Sequence, residues 1–352
     1  YFSWRYIERP FRNKNFFNRK QIYGISMAAS LVLASTGFVG HHFNGFPERF
    51  SGLELVATNT QNNKIRELNF QKVCQIESPI DEYKNIKMCK FGDLNSKEVI
   101  FLHGDSHAKA LFFEIDKLAK KNNYVVIFTD NRNCAAIPYI YEGNNSSLKR
   151  IEHCHKSHHA VLNYIKKKNP KMVIFVYRWT FKLYPIKDQI TELGYNNGEG
   201  GIELPQYREY FAMADSKFTQ TAVSKSSSVK KFVKEFLDKD IPILLTYPIP
   251  ETGWNIPHLN GKNILFNGGF KSSISSSFSQ YKARNNFVIN TLNSIGHHEK
   301  LFRFKPSKVF CNTYIADRCV AQIDSVPLYN DDNHLSDKGA ALITEEIFLK
   351  IQ

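Results

Sequence analysis

The sequence has no Cys-x-x-Cys pair, no zinc knuckle and no basic-aromatic repeat, which leaves it without a recognisable nucleic-acid-binding module. Its formal net charge is nevertheless +14 at pH 7, from 47 Lys and Arg residues against 33 Asp and Glu residues. The basic residues are scattered, apart from a cluster before Gln21. We therefore interpret the charge as suited to anionic lipids or anionic glycans, and not to nucleic acid.

Charged residues are also absent from Ile22 to Phe43, a stretch of apolar and small residues. About 20 such residues suffice to cross a bilayer, although a buried helix of a soluble protein is the alternative. The flank before this stretch carries six basic residues against Glu8 alone: Arg5, Arg9, Arg12, Lys14, Arg19 and Lys20. Since positive residues stay on the cytoplasmic side, we expect a transmembrane helix whose C-terminal end faces outward.

Cysteine is missing before position 74, and all six cysteines follow the apolar stretch. An even number outside the cytoplasm indicates disulfides, and proximity in sequence favours Cys74–Cys89, Cys134–Cys154 and Cys311–Cys319. The alternative is a zinc site around Cys154 and its two histidine neighbours. We expect disulfides and no metal.

Hydrophobic residues make up 42% of the chain and charged residues 23%, which is ordinary for a globular protein. Apolar runs alternate with segments whose sequence is typical of helices. The apolar runs predict five strands, at 98–104, 124–129, 171–177, 241–247 and 301–304. This alternation is typical of a parallel sheet covered by helices on both faces, with the active site at the carboxyl ends of the strands. The Ser-rich run at 271–279 is expected to be a mobile surface loop.

The strongest local signal is FLHGDSHAKAL at 101–111. Gly104 permits a tight turn, and Ser106 stands where the first strand passes into a helix. The first turn of a helix offers unpaired N–H groups that can stabilise an oxyanion. The alternative is that Ser106 is only the N-cap of this helix.

A second signal is YNDDNHLSDKGA at 329–340, which lies before the last predicted helix. A serine nucleophile needs a base, and His334 can act as one if a carboxylate orients its ring. Asp331 lies three residues before His334, and Asp332 competes for the same role. Ser336 has the position of the helix N-cap. A polar capping loop with a surface histidine is the alternative.

Together, Gly-Asp-Ser-His after the first strand and Asp-x-x-His before the last helix resemble the SGNH (GDSL-like) hydrolase family over roughly residues 74–352. The resemblance implies a flavodoxin-like three-layer α/β/α sandwich. It also implies a catalytic triad in which Ser106 is the nucleophile, His334 the base and Asp331 the orienting acid.

The chain departs from the family in lacking a Gly-x-Asn-Asp block after the third strand, where it reads VYRWTF at 176–181. The Arg-Trp at the end of this strand and the cysteine pattern resemble those of SGNH domains fused to acyltransferase-3 membrane proteins. Arg178 and Trp179 are therefore candidates for the oxyanion or substrate site, with packing and pairing at the strand end as the alternative. The remaining candidates there are the Ser106 N–H, Asp105 and His107.

The start of the chain, FSWRYIERPFRNK at 2–14, resembles the cytoplasmic end of an acyltransferase-3 domain. With no Met at position 1, we expect the chain to be the C-terminal portion of a longer protein. The resemblance implies four parts: the end of that membrane domain at 1–21, a transmembrane helix at 22–43, a periplasmic linker at 44–73 and the SGNH domain at 74–352.

The resemblance implies an O-acetyltransferase in the bacterial inner membrane, with its SGNH domain in the periplasm. The upstream acyltransferase-3 domain would supply acetyl groups from acetyl-CoA, so that no cofactor binds here directly. An acyl-serine would pass acetyl to a sugar hydroxyl of an envelope polysaccharide such as the lipopolysaccharide O-antigen. The alternatives are a carbohydrate esterase that uses water as the acceptor, and a non-catalytic glycan-binding domain.

Overall fold

The computed structural model describes residues 1–12, 17–43, 45–46, 68–77, 88–129, 148–183, 195–202, 222–266, 269 and 271–351. The chain divides into two compact units, Tyr1–Glu54 and Leu55–Gln352. The predicted sites at Cys134 and at the side chains of His153, Cys154 and His155 lie outside the described part.

The first unit is helical. A π-helical turn at Trp4–Glu8 leads into α1 (Arg9–Arg12), and α2 (Arg19–His42) follows. Asn18 begins α2 with a capping box, in which its side chain accepts from the Gln21 N–H and its own N–H donates to the Gln21 side chain. Within the described residues, α2 alone is long and apolar enough to cross a membrane, and none of that stretch is buried. Its 24 residues extend about 36 Å.

A seven-stranded sheet forms the centre of the second unit, in the order β1-β2-β4-β3-β5-β6-β8. Its strands are β1 (Gln75–Glu77), β2 (Met88–Gly92), β3 (Val99–Gly104), β4 (Val125–Thr129), β5 (Met172–Val176), β6 (Ile243–Thr246) and β8 (Leu301–Phe304). The last five are parallel and are the five predicted strands, whereas β1 and β2 add an antiparallel edge. Taken in chain order, the parallel strands are arranged 2-1-3-4-5, as in flavodoxin-like folds.

Helices cover both faces because side chains alternate across each buried strand. Ile100 and Leu102 of β3 contribute to one core, and Phe101 between them contributes to the other. The described helices of this unit include α3 (Ser106–Ala110), α4 (Phe112–Lys121), α5 (Leu148–Lys168), α6 (Trp179–Leu183), α7 (Ala222–Leu237), α8 (Ile256–Phe266), α9 (Phe278–Asn293), α10 (Ser307–Phe310) and α11 (Asp337–Phe348). The first core takes apolar residues from α4 and α11, and the second takes them from α5, α7 and α9. The predicted three-layer α/β/α sandwich is confirmed.

The Ser-rich run is not the mobile loop that we expected. Its centre forms β7 (Ile274–Ser277), which pairs with β9 (Arg318–Ile323) in a three-stranded sheet completed by β10 (Val326–Pro327). Its low intrinsic strand propensity is overcome by this pairing and by the burial of Ile274. A disulfide between Cys311 and Cys319 holds the start of β9.

Two further differences lie near the first core. The helix expected after Ser106 is interrupted at Leu111, which separates α3 from α4. Within the predicted linker, residues 68–73 are helical, and the buried Phe70 packs on Phe112 with 4.6 Å between ring centroids. The disulfide Cys74–Cys89 joins this segment to β2.

Candidate active site

The candidate site lies where the strand order reverses. From β3, the chain proceeds to β4 on one side and then returns to β5 on the other. In open parallel sheets, this reversal opens a crevice beyond the carboxyl ends of the two central strands. Ser106 lies two residues after the end of β3, and Arg178 lies two residues after the end of β5, so both border that crevice.

Gly104 and Asp105 place Ser106 at the start of α3. A Cβ atom on Gly104 would lie 1.9 Å from the carbonyl oxygen of Val176, so the close approach of β5 requires glycine here. Asp105 is the N-cap, and its side chain accepts from the His107 N–H at 3.0 Å. Ser106 is therefore the first helical residue and not the cap, and its side chain is exposed.

The second part of the site is the loop that precedes α11. One oxygen of Asp331, Oδ1, accepts from the backbone N–H groups of Asn333 and His334 at 2.9 Å and 2.7 Å. Its other oxygen, Oδ2, lies 2.7 Å from Nδ1 of the His334 ring. Asp332 instead accepts from the side-chain amide of Asn333 at 3.2 Å. Of the two predicted orienting carboxylates, Asp331 is thus the one that contacts the ring.

The two parts meet at His334, whose Nε2 lies 2.7 Å from the Ser106 Oγ. Because Asp331 accepts from Nδ1–H, Nε2 is left as the acceptor for the serine hydroxyl. Burial alone would raise the pKa of Asp331, but hydrogen bonds from the His334 ring and from two backbone N–H groups lower it to about 2. Burial acts to lower the pKa of His334, yet the hydrogen bond and charge of Asp331 raise it overall.

Residues that follow β6 hold this loop in place. The N–H of Thr252 donates to the carbonyl oxygen of Asp332 at 2.8 Å, and the N–H of Ile256 donates to that of Asp331 at 3.3 Å. Ser336 is the N-cap of α11, as predicted, and accepts from the Gly339 N–H at 3.2 Å. The loop is therefore held by backbone hydrogen bonds before His334 and by the Ser336 side-chain cap after it.

A buried charge cluster lies under the crevice. Glu251 is paired with the guanidinium of Arg178 in two hydrogen bonds, of 2.8 Å and 3.2 Å, and with that of Arg284 in two more, of 3.1 Å and 2.7 Å. Its side chain is only 6% exposed. Burial would raise the pKa of Glu251, but the two guanidinium groups hold it far below its ordinary value. The cluster consequently carries one net positive charge.

The other predicted site residues have structural contacts. The indole of Trp179 is 1% exposed and donates to the carbonyl oxygen of Thr246 at 2.6 Å, so Trp179 packs at the strand end instead of lining a substrate site. Arg178 pairs with Glu251, and its backbone N–H donates to the Asp105 side chain at 3.0 Å. The structure thus shows packing for Trp179 and an ion pair for Arg178, which also borders the crevice. His107 is buried beside Asn333.

Sequence reasoning missed Glu251, Thr252 and Asn333. The first two follow β6 in the run PIPETGW at 248–254, and an acidic residue at the carboxyl end of a predicted strand was a usable signal. Asn333 stands inside the quoted DDNH motif, but nothing in the motif indicates its distant partner.

In the described part of the chain, no cluster of three or more His, Cys, Asp or Glu side chains could hold a metal ion.

Comparison with known proteins identifies the family of the chain. The family model described as SGNH domain (fused to AT3 domains) matches residues 73–348. Among solved structures, the periplasmic domain of the Salmonella ser. Paratyphi A lipopolysaccharide acetyltransferase is 17% identical, with a TM-score of 0.46 over 74% of this chain and 85% of that one. The acetyl xylan esterase AlAXEase is 13% identical, with a TM-score of 0.35 over 72% and 100%. None of the curated proteins matches the chain.

Proposed function

This chain belongs to the family of SGNH domains fused to AT3 domains, and we propose that it is an O-acetyltransferase that acts on an envelope polysaccharide. The observation that carries the proposal is the continuous hydrogen-bonded series from Ser106 through His334 to Asp331, with 2.7 Å at each step. Serine, imidazole and carboxylate in this order form an activated nucleophile.

The proposed reaction has two steps. In the first, His334 accepts the hydroxyl proton of Ser106, and the Oγ attacks the carbonyl carbon of the acetyl donor. The tetrahedral oxyanion would be stabilised by N–H groups in the first turn of α3, including that of Ser106. As this intermediate collapses, the leaving group takes the proton from His334, and an acetyl-serine remains.

In the second step, His334 accepts a proton from a sugar hydroxyl, which attacks the acetyl-serine carbonyl. Collapse returns the proton to the Ser106 Oγ and releases the acetylated sugar. Asp331 keeps the ring orientation fixed and stabilises the imidazolium in both steps. The balance of the reaction is the transfer of one acetyl group from donor oxygen or sulfur to sugar oxygen.

A membrane location supports polysaccharide as the acceptor. The part of α2 from Ile22 onward has no charged residue and follows a basic flank. Two disulfides stabilise the larger unit, as is typical of proteins outside the reducing cytoplasm. In the proposed arrangement, the larger unit faces the periplasm from the inner membrane. The acetyl group would originate from cytoplasmic acetyl-CoA and arrive through an upstream acyltransferase-3 domain.

Hydrolysis is the second candidate, because the Ser106 side chain is exposed and water could reach the acetyl-serine. Transfer and hydrolysis share the first step and differ in whether a sugar hydroxyl or water attacks in the second. Their products differ: transfer adds acetyl groups to the glycan, and an esterase removes them.

The test is expression of the full-length protein in a host that lacks its own copy, followed by measurement of acetyl groups on the isolated surface glycan. We expect the wild type to add acetyl groups, Ser106→Ala to add none, and Ser273→Ala, a change at another exposed serine, to act as wild type. Loss of acetyl groups from a pre-acetylated glycan would favour the esterase. Full acetylation by Ser106→Ala would contradict the catalytic assignment and leave glycan binding as the function.

A further inference from the structure

A hydrogen bond joins the helix that carries Ser106 to the loop that carries His334. Nε2 of His107 lies 3.1 Å from the side-chain oxygen of Asn333, across 226 residues of sequence. The two side chains are 1% and 4% exposed. A buried bond between neutral groups is shielded from competition with water, so it can define the distance between the two elements.

The surroundings fix which atom donates. The side-chain amide nitrogen of Asn333 donates to Asp332 at 3.2 Å, so its oxygen faces His107. An amide oxygen can only accept, so His107 donates from Nε2–H. The backbone N–H of Asn333 in turn donates to Asp331 at 2.9 Å. Asn333 therefore connects His107 directly to the residue that orients His334.

The His107 ring also lies beside the ring of the base. The imidazoles of His107 and His334 meet edge to face, with 5.2 Å between their centroids. Burial lowers the pKa of His107 to about 4, although Asp105 acts in the opposite direction. The His107 ring is therefore neutral when His334 takes up a proton, and it places no second positive charge beside the imidazolium.

We infer that His107 is a positioning residue, which holds the acid–base loop at the nucleophile by donating to Asn333. This inference rests on the proposed roles of Ser106 and His334. His107 does not exchange a proton with the substrate. It keeps Nε2 of His334 within reach of the Ser106 Oγ, and a misplacement of about 1 Å in such a site can reduce a rate by about 10²-fold.

Two substitutions of similar chemistry separate positioning from packing. In His107→Gln, the amide N–H replaces the imidazole Nε2–H and can still reach Asn333. In His107→Asn, the amide is one bond shorter, occupies the place of Nδ1 and does not reach. The probe is a fluorophosphonate that labels activated serines, applied to the full chain in detergent. The measured quantity is the rate of labelling at Ser106, located by mass spectrometry.

We expect His107→Asn to slow labelling by about 10²-fold and His107→Gln to restore it to within about threefold of wild type. Asn333→Leu removes the hydrogen bond to His107 together with the one to Asp332, so it should slow labelling at least as much as His107→Asn. The variant that combines both changes should be no slower than Asn333→Leu alone, because the bond between His107 and Asn333 is already lost there. The melting temperatures of the Gln and Asn variants serve as the control for packing.

Equal labelling rates in the Gln and Asn variants, or additive losses in the double variant, would overturn the inference. A rate that follows the melting temperature would also overturn it, because that would indicate a role in folding alone. The proposed function fails in a different way: the wild-type chain itself would then show no labelling at Ser106. The two failures are therefore distinguishable in one experiment.

Discussion

The backbone N–H of Arg178 donates to the side chain of Asp105 at 3.0 Å, and this bond ties the end of β5 to the end of β3. The backbones can approach so closely because Gly104 has no Cβ, which would lie 1.9 Å from the Val176 oxygen and 2.5 Å from the Ala108 Cβ. The position of Ser106 therefore depends on a glycine two residues earlier.

Gly104→Ala should consequently disturb both stability and reactivity. The added methyl group must displace β5 or α3, and overpacking of this kind costs about 1–3 kcal/mol in the free energy of unfolding. The same displacement should slow fluorophosphonate labelling of Ser106. Urea denaturation of the wild type and of Gly104→Ala measures the loss of stability. Gly269→Ala is the control, since a Cβ there meets nothing within 4 Å. Equal stability of the two variants would contradict this account of Gly104.

The Glu251 cluster predicts a second, larger effect on stability. Glu251→Gln removes the negative charge that pairs with the buried guanidinium groups of Arg178 and Arg284, and removing one partner of a buried pair costs about 3–5 kcal/mol. Glu199→Gln is the matched control, because its ion pair with Arg318 is about one-third exposed and pairs at the surface contribute about 0–1 kcal/mol. Thermal or urea unfolding distinguishes the two. A loss for Glu251→Gln no larger than for Glu199→Gln would show that the cluster is not a structural element.

The sequence predicted the parts of the fold that are determined locally. The five parallel strands are apolar runs such as KMVIFVY at 171–177, which are recognisable because parallel strands are buried on both faces. By contrast, β7 reads ISSS and is a strand only because β9 pairs with it. The edge strands β1 and β2 are short. No pattern in the amino-acid sequence indicates that β1 pairs with β2 or that β2 pairs with β4.

The candidate site shows the same division. Ser106, Asp331 and His334 stand in short motifs whose chemistry is readable from residue types and spacing. The contact of Asn333 with His107 joins positions 226 residues apart, and nothing in the sequence indicates this contact. The pairing of Arg178 with Glu251 similarly depends on two strands that are neighbours in the sheet, β5 and β6.

The cysteines provide a chemical test of the predicted disulfides. Cys74–Cys89 and Cys311–Cys319 are formed in the structure, while the predicted Cys134–Cys154 lies outside the described residues. Peptide mapping without reduction should recover three linked pairs, each local in sequence. Free thiols at Cys134 and Cys154, or zinc bound there, would refute the third.

Replacing both cysteines of the Cys311–Cys319 pair with serine should cost about 2–4 kcal/mol in the free energy of unfolding.

The orientation of α2 is testable in intact cells. Basic residues precede the helix, so the positive-inside rule places Arg19 in the cytoplasm and Gly52 in the periplasm. Single cysteines introduced at these two positions should differ in labelling by a membrane-impermeant maleimide. We expect labelling at Gly52 once the outer membrane is permeable, and at Arg19 only after the inner membrane is disrupted. The reverse order would place the larger unit in the cytoplasm, where the proposed disulfides would not persist.

The pairing of Asp331 with His334 predicts how the reaction responds to pH. His334 accepts a proton from Ser106 only when its ring is neutral, and Asp331 raises its pKa above the ordinary 6.5. The rate of Ser106 acylation should therefore rise with pH through a midpoint above 6.5 and then level off. Because the pKa of Asp331 is lowered to about 2, its carboxylate stays ionised across this range.

Asp331→Asn removes the charge that raises the His334 pKa, so the midpoint should move to lower pH. The same change removes the acceptor for Nδ1–H and allows the wrong tautomer, so the plateau should fall by roughly 10³–10⁴-fold. Ser106→Ala should abolish acylation altogether.

Asp332→Asn is the matched control, since Asp332 contacts the Asn333 amide and not the His334 ring, and it should leave the midpoint in place. Acylation rates with an activated acetyl ester, measured from pH 5 to 9, decide between these outcomes. A midpoint that moves in Asp332→Asn and stays fixed in Asp331→Asn would assign the orienting role to the other carboxylate.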